Sequence, residues 1–309
     1  MMMKYKTHWL VFFTALWSWG TAYAVTLSAL PVAKNVYAFI GDTGMRTYQN
    51  EGMNANSGFI VTDDGVVVID SGPAWQVAKE IHRAIKKVTR QPVKYVINTG
   101  GQDHRWLGNG YFKYIGAEII AARPALADMQ ERGDMQLQAL RQTIRKKAAG
   151  TRPVYPGRFF DRTEILRLGG QEIHLLYFHG GHTPGDSVVW LPQQGVLFSG
   201  DLVYVDRMLG VLPVSSTRDW LASFAEMEKL EPGLIVPGHG QVCDLATARR
   251  DTRDYLALLR GHMKLALDQG MDLQTAITSL DQSAFRYLQH YELLSGGNAS
   301  RTYLEMETE

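Results

Sequence analysis

Only one cysteine, Cys243, stands in 309 residues. No disulfide can form within the chain, so an oxidising compartment would stabilise nothing and the core must suffice. No proline-rich or serine-rich linker interrupts the sequence, which reads as one domain. An excess of charge of one sign is also missing: 32 basic and 31 acidic residues leave a formal net charge of +1. With no basic stripe interleaved with aromatics either, nucleic acid is not an expected partner. What the chain does have is apolar material. At 45% hydrophobic and 20% charged residues, it can bury a large core.

The N-terminus departs from this pattern. Lys4 and Lys6 precede the apolar run WLVFFTALWSWG, and Ala22-Tyr23-Ala24 follows it. The run is short of the roughly 20 residues that span a bilayer, and the A-x-A pattern is that of a signal-peptidase site. The expectation is a signal peptide over residues 1–24 and a mature chain over 25–309. That chain would be periplasmic or secreted, with no stable membrane insertion after cleavage.

Along the mature chain, NVYAFIGD and SGFIVTDD read as strands, and Asp63-Asp64-Gly65 turns the second back into GVVVIDSG. AWQVAKEIHRAIKKV has helical periodicity, and VKYVINT is a buried strand. A short strand at 118–122 precedes a charged helical segment at 124–149 that flanks a cleft, and 152–160 reads as a loop. TEILRLGGQEIHLLYFHGGHT forms a hairpin. Strands at 187–191 and 195–199 follow, the second ending at Gly200-Asp201. A helix at 217–230, the strand LIVPGHG, a long helix at 244–269 and shorter helices complete the chain. The helical extension begins at about residue 245. Hairpins leading to helices and strands in both halves suggest two sheets packed face to face with helices outside.

Four loops share one property: each follows a short apolar strand, is rich in glycine and presents His or Asp just past the strand. They carry Asp103 with His104, then His182, Asp201 and His239. Converging backbones and directed side chains are what a preorganised metal site requires. Imidazole nitrogen and carboxylate oxygen suit zinc first and also iron or manganese, whereas magnesium and calcium favour all-oxygen shells. Cys243, four residues after His239, reads as a small apolar filler rather than a ligand.

In order along the chain, VVVIDSG, TGGQDH, GGHTPGD, LFSGDLVY and VPGHG resemble the motifs of the metallo-β-lactamase superfamily. The resemblance implies an α/β fold, an αββα sandwich of two mixed β-sheets flanked by helices with its metal site at the sheet edge. The family pattern H-x-H-x-D-H implies two metal positions. The first would use Gly100, Gln102 and His182 with Asp201 bridging; the second would use Asp103, His104, Asp201 and His239. Gly100 offers no donor and Gln102 only a weak neutral oxygen, so the resemblance implies one zinc per chain at the second position. Asp70 is expected to hold loops through hydrogen bonds rather than to touch metal.

The expected activity is that of an exported hydrolase that directs a metal-activated water at an ester, thioester or lactam of a small molecule. Asp103, His182 and Asp201 are its expected catalytic residues. His182, if without metal, or Asp201, if released from bridging, would take the water's proton. The alternative is a catalytically degenerate member that serves as a periplasmic binding or accessory protein.

Overall fold

The computed structural model describes residues 26–309, so the expected signal peptide lies outside the described residues. The chain runs through β1 (Leu30–Ala33), β2 (Val36–Phe39), β3 (Ser57–Thr62), β4 (Gly65–Ile69), α1 (Trp75–Val88), β5 (Val93–Asn98), α2 (Asp103–Trp106), α3 (Asn109–Tyr114), β6 (Glu118–Ala122) and α4 (Arg123–Ile144). The second half comprises β7 (Arg158–Phe160), β8 (Thr163–Leu168), β9 (Gln171–Tyr177), β10 (Ser187–Leu191), β11 (Val196–Tyr204), α5 (Thr217–Glu228), β12 (Leu234–His239), α6 (Leu245–Ala248), α7 (Asp254–Asp268), α8 (Leu273–Ser279) and α9 (Tyr291–Glu307).

Two mixed sheets result. Strands β1 to β7 form one in sequential order, antiparallel up to β4 and parallel from β4 to β7. The other has the order β12-β11-β10-β9-β8, with only the β11–β12 pair parallel. Phe39, Phe59 and Ile97 from the first sheet meet Leu175, Val189, Phe198 and Val236 from the second in the inner core. Helix α1 covers the first sheet because Val77, Ala78, Ile81, Ala84 and Ile85 fall on one face at helical spacing. On the far side of the second sheet, Trp220 and Phe224 of α5, Tyr255 and Leu259 of α7, and Ala299 and Tyr303 of α9 pack with Leu197, Val203 and Ile235.

Four local expectations are corrected. Strand β1 was not foreseen, and the expected loop at 152–160 contains β7, which pairs with β6. The strand expected to end at Ser199 runs on to Tyr204, its register slipping at Gly200, where φ is 51°. Such an irregularity re-aims the following side chain without ending the strand. The long helix expected at 244–269 is broken by a π-helical turn at Arg249–Arg253. There Thr252 turns inward to bond both the N–H and the carbonyl of Tyr204, and Asp251 accepts from the Asp206 N–H.

Candidate metal centre

The site is assembled at the edge shared by the two sheets. Just past β4, Asp70 adopts a left-handed backbone (φ 61°) and accepts hydrogen bonds from the Thr99 N–H and hydroxyl, both at 2.8 Å. That pins the loop leaving β5, the role expected of Asp70. Two residues into α2, His104 turns Nε2 to 3.0 Å from Asp201 Oδ2. Asp201 lies in β11 immediately after the slip at Gly200. At the end of β12, His239 pairs in register with Tyr204, stacks on its ring at 4.5 Å between centroids and places Nε2 3.2 Å from Asp201 Oδ1. The donor atoms of His104, Asp201 and His239 all lie within 4.8 Å of one another, and all three residues are buried.

Beneath this cluster lies Arg105, a residue that no motif spacing singles out. Its guanidinium, 1% exposed, reaches Asp201 through Nη2 to Oδ1 (2.5 Å) and Nε to Oδ2 (3.2 Å). Its Nη1 donates to Asp70 Oδ2 at 3.0 Å and to the Asn56 carbonyl at 2.7 Å. Gly238 is required beside it, because a Cβ there would stand 2.5 Å from Arg105 Nη2 and 2.7 Å from Asp201 Oδ1. Burial disfavours the Asp201 carboxylate, but Arg105 and then His104 outweigh it and hold its pKa well below the usual range. Asp201 is therefore a poor proton acceptor, contrary to the expectation that it might act as a base.

Asp103 and His182 stand outside the three-residue cluster. The Asp103 carboxylate is bound by Arg46, and this pair outweighs the effect of burial to lower the Asp103 pKa. The four-ligand set implied by the family pattern thus becomes three in this geometry, because an arginine 57 positions earlier occupies the fourth carboxylate. His182 places Nδ1 2.9 Å from the Gly210 carbonyl, and burial, opposed by Asp201, lowers its pKa to about 4. It is a neutral imidazole with its other nitrogen free to accept. The expected gaps at Gly100 and Gln102 are corrected by one residue: counted back from Asp103-His104, H-x-H-x-D-H puts its first two histidines at Thr99, whose hydroxyl donates to Asp70, and at Gly101, where a Cβ would stand 2.0 Å from Asp128 Oδ2. Gln102 lines the cleft, whereas a Cβ at Gly100 would stand 2.5 Å from Asp186 Oδ1. Cys243 is part-buried, and burial pushes its thiol up to about 12, which suits a filler.

The donor chemistry fits a metal. His239 Nδ1 lies 2.6 Å from the Asn54 carbonyl, which fixes the proton on Nδ1. Burial keeps this ring neutral, its pKa lowered to about 3, so a bare Nε2 lone pair faces the Asp201 carboxylate. Two acceptors turned toward each other call for a cation between them. Each Asp201 oxygen has a lone pair beyond the one Arg105 uses. Three protein ligands with one position open is also the pattern of catalytic rather than structural zinc.

The cluster opens on a cavity of about 310 Å³ lined in part by Arg46, Gln102, His182 and Tyr204. A second, of about 370 Å³, shares Arg46, Gln102 and Leu212 with it and adds Met135, Ala139, Pro213 and Val214. Helix α4 flanks both, as expected of the 124–149 segment. Tyr204 is buried, and burial followed by the Asp201 charge raises its phenol well above its ordinary pKa. It is a neutral donor over the site. Its signal in the sequence was its place at the end of LFSGDLVY; Arg46 and Arg105 gave none that spacing could interpret.

A buried His-Asp-His cluster at the edge of an αββα sandwich defines a candidate metal centre in a metallo-beta-lactamase fold. The family model of the metallo-beta-lactamase superfamily matches residues 50–239, and the chain belongs to that superfamily. A type 2 metallo-beta-lactamase of Elizabethkingia meningoseptica is 28% identical over 227 residues, 72% of this chain and 82% of its own. A type 2 enzyme of Bacillus cereus is 28% identical over 224 residues, 71% and 78% of the two chains. Among solved structures, a metallo-beta-lactamase from Pontibacter korlensis superposes with a TM-score of 0.59 at 23% identity, covering 72% of this chain and 95% of its own. A stereoselective inverting sec-alkylsulfatase from Pseudomonas sp. gives 0.71 at 17% identity, covering 90% of this chain and 50% of its own. The structural likenesses confirm the αββα fold, and the family relatives support a metal-dependent hydrolase acting on a small molecule. No helix among the described residues is long and apolar enough to cross a membrane.

Proposed function

We propose that this chain is an exported, mononuclear metal-dependent hydrolase of a small ester, thioester or lactam, with His104, Asp201 and His239 holding one zinc ion. The observation that carries the reading is the His239 tautomer: its proton is committed to the Asn54 carbonyl and its free nitrogen faces a carboxylate. When bound, the ion supplies Lewis acidity toward a carbonyl or a water.

The chain's own residues divide the remaining work. Arg105 holds Asp201 ionised and oriented, and Asp70 holds Arg105. Tyr204, uncharged at neutral pH, offers a proton toward an oxygen that gains negative charge. His182, neutral with its donor side fixed by Gly210, accepts a hydrogen bond from a water in the cleft and orients it. Its low proton affinity makes it a weak base, so turnover is expected to be slow. Leu212, Pro213 and Val214 give this end of the cleft an apolar wall.

A second reading, a binding protein without turnover, is favoured by one observation: the carboxylates of Asp103 and Asp201 are both engaged by arginines. Metal analysis of purified protein, combined with a screen of ester, thioester and lactam substrates, decides between the two. About one zinc per chain with chelator-sensitive hydrolysis supports the enzyme. Bound zinc without hydrolysis of any of these classes supports the binding protein, and absence of zinc overturns the metal assignment.

A further inference from the structure

Arg46 stands where two cavities meet. His104 and His239 line the first, Asp103 lines the second with Met135 and Ala139, and Arg46 lines both. Residues adjacent in sequence thus face different spaces: His104 turns Nε2 to Asp201, whereas the Asp103 carboxylate is bound by Arg46. Both of its oxygens are engaged. Oδ1 accepts from the His104 N–H at 2.9 Å and Oδ2 from Arg46 Nη1, in a side chain only 2% exposed.

The loop that carries Arg46 is braced on either side of it. Asn50 donates through Nδ2 to the Met45 carbonyl at 2.9 Å and accepts through Oδ1 from the Thr47 N–H at 2.8 Å. The Asp42 N–H donates to the Met53 carbonyl at 3.1 Å and closes the loop. Glu51 pairs with Lys147 at 3.1 Å and fastens it to the helical turn Arg145–Ala148. For a metal to recruit Asp103, the guanidinium would have to leave a buried carboxylate, and a loop fixed in this way would keep the displaced cation beside a divalent ion. One carboxylate leaves part of such an ion's charge uncancelled; a second would neutralise it and weaken its Lewis acidity.

We infer that Arg46 sets the ligand number of the metal centre and, through it, the metal affinity: it holds Asp103 in the adjoining cavity as a latent fourth ligand and limits the protein's share of the shell to His104, Asp201 and His239. The inference rests on the metal site of the hydrolase reading but not on turnover.

The test compares three intact chains: wild type, Arg46→Met, and the double variant Arg46→Met with Asp103→Asn. Zinc affinity is measured by competition with a chromophoric chelator, and ligand number is read from the visible spectrum after cobalt(II) substitution. The double variant removes the pair without changing the net charge, so it should match the wild type in both readouts. In Arg46→Met the carboxylate is left buried without its counterion and turns to the metal. Zinc should then bind roughly ten- to a hundredfold tighter, with the cobalt bands shifted and weakened by the added ligand. The metal-free melting temperature of this variant should fall, and zinc should restore it. Should metal-free Arg46→Met fail to fold, the double variant still decides: loss of zinc from it, where the wild type binds, would make Asp103 a ligand in the wild type and overturn the inference. Zinc affinity in Arg46→Met no higher than in the wild type, or no metal in any of the three chains, would overturn it too. Equal affinities and spectra throughout would do so while leaving the mononuclear reading intact. Zinc bound by Arg46→Met but not by the wild type would sustain the inference and overturn that reading alone.

Discussion

The contact between Gly100 and Asp186 can be perturbed directly. A methyl group at position 100 would place Cβ 2.5 Å from Asp186 Oδ1, about 1 Å inside ordinary contact. That oxygen is the end of a short side chain, but it is not free to move. Asp186 is fully buried and accepts from the Thr183 hydroxyl at 2.5 Å and the Thr183 N–H at 2.6 Å. Gly100→Ala must therefore displace a carboxylate from at least one of these bonds or shift the β5 loop, at a cost of about 1–3 kcal/mol. In a chain of this length, about 2 kcal/mol lowers the melting temperature by roughly 3–6 °C.

The control is a double-mutant cycle. Asp186→Ala carries its own penalty, since it leaves the buried Thr183 N–H unpaired, but in that background adding Gly100→Ala should cost little. Urea unfolding of the four proteins gives the coupling. The reasoning fails if Gly100→Ala is as stable as wild type, or if its penalty persists undiminished when Asp186 is already alanine. A histidine at position 100 meets the same obstacle, so Gly100→His with Gln102→His is expected to destabilise the chain, and it would not complete a first metal position, because the histidines of H-x-H-x-D-H fall at 99 and 101.

Metal content separates the three-residue cluster from the four-residue set: His104→Ala and His239→Ala should lose zinc, whereas Asp103→Ala should retain it, as read by elemental analysis. Should Asp103→Ala lose the ion as well, Arg46 yields to metal and the larger set stands. His182 gives a pH signature in metal-free protein. Burial lowers its pKa from 6.5 to about 4, so the unfolded chain takes up the proton first. Its contribution to stability is complete above pH 6.5 and is lost as pH falls toward 4, by about 1.4 kcal/mol per unit. Urea midpoints across this range should fall less steeply in His182→Gln than in wild type, and equal slopes would refute the assignment. Tyr204→Phe should lower kcat by roughly tenfold or more while leaving zinc content unchanged; a loss confined to KM would count against a donor role. N-terminal sequencing of protein recovered from the periplasm should begin at Val25, and retention of Met1 would contradict export.

The sequence conveyed whatever is local. The Asp63-Asp64-Gly65 turn, the helical period of α1 and the glycine-rich strand ends are written in neighbouring residues, and His104, Asp201 and His239, which end such segments, meet at one edge. Ion pairing was not legible, because it depends on residues far apart in sequence. Arg46 reaches Asp103 across 57 positions and Arg105 reaches Asp201 across 96. A ligand pattern lists donors but not the cations already attached to them. The slip at Gly200 was missed for another reason: a glycine followed by an aspartate ordinarily ends a strand, and only pairing with β12, at Gly200–Pro237 and Tyr204–His239, carries β11 through it.

The family match stops at His239, yet the cleft does not. Leu294 of α9 lines the cavity, Asn298 bonds the Leu209 carbonyl and the Val211 N–H, and Glu305 accepts from the Thr217 N–H and hydroxyl at the start of α5. The last helix is tied at several points to the loop that carries Gly210, while His104, Asp201 and His239 all precede it. Shortening the chain from its C-terminal end, or fusing a tag that pulls on α9, would therefore open one wall of the cleft while leaving the cluster of donors standing. A preparation handled in that way would keep its donor cluster and could be mistaken for a protein with no taste in ligands.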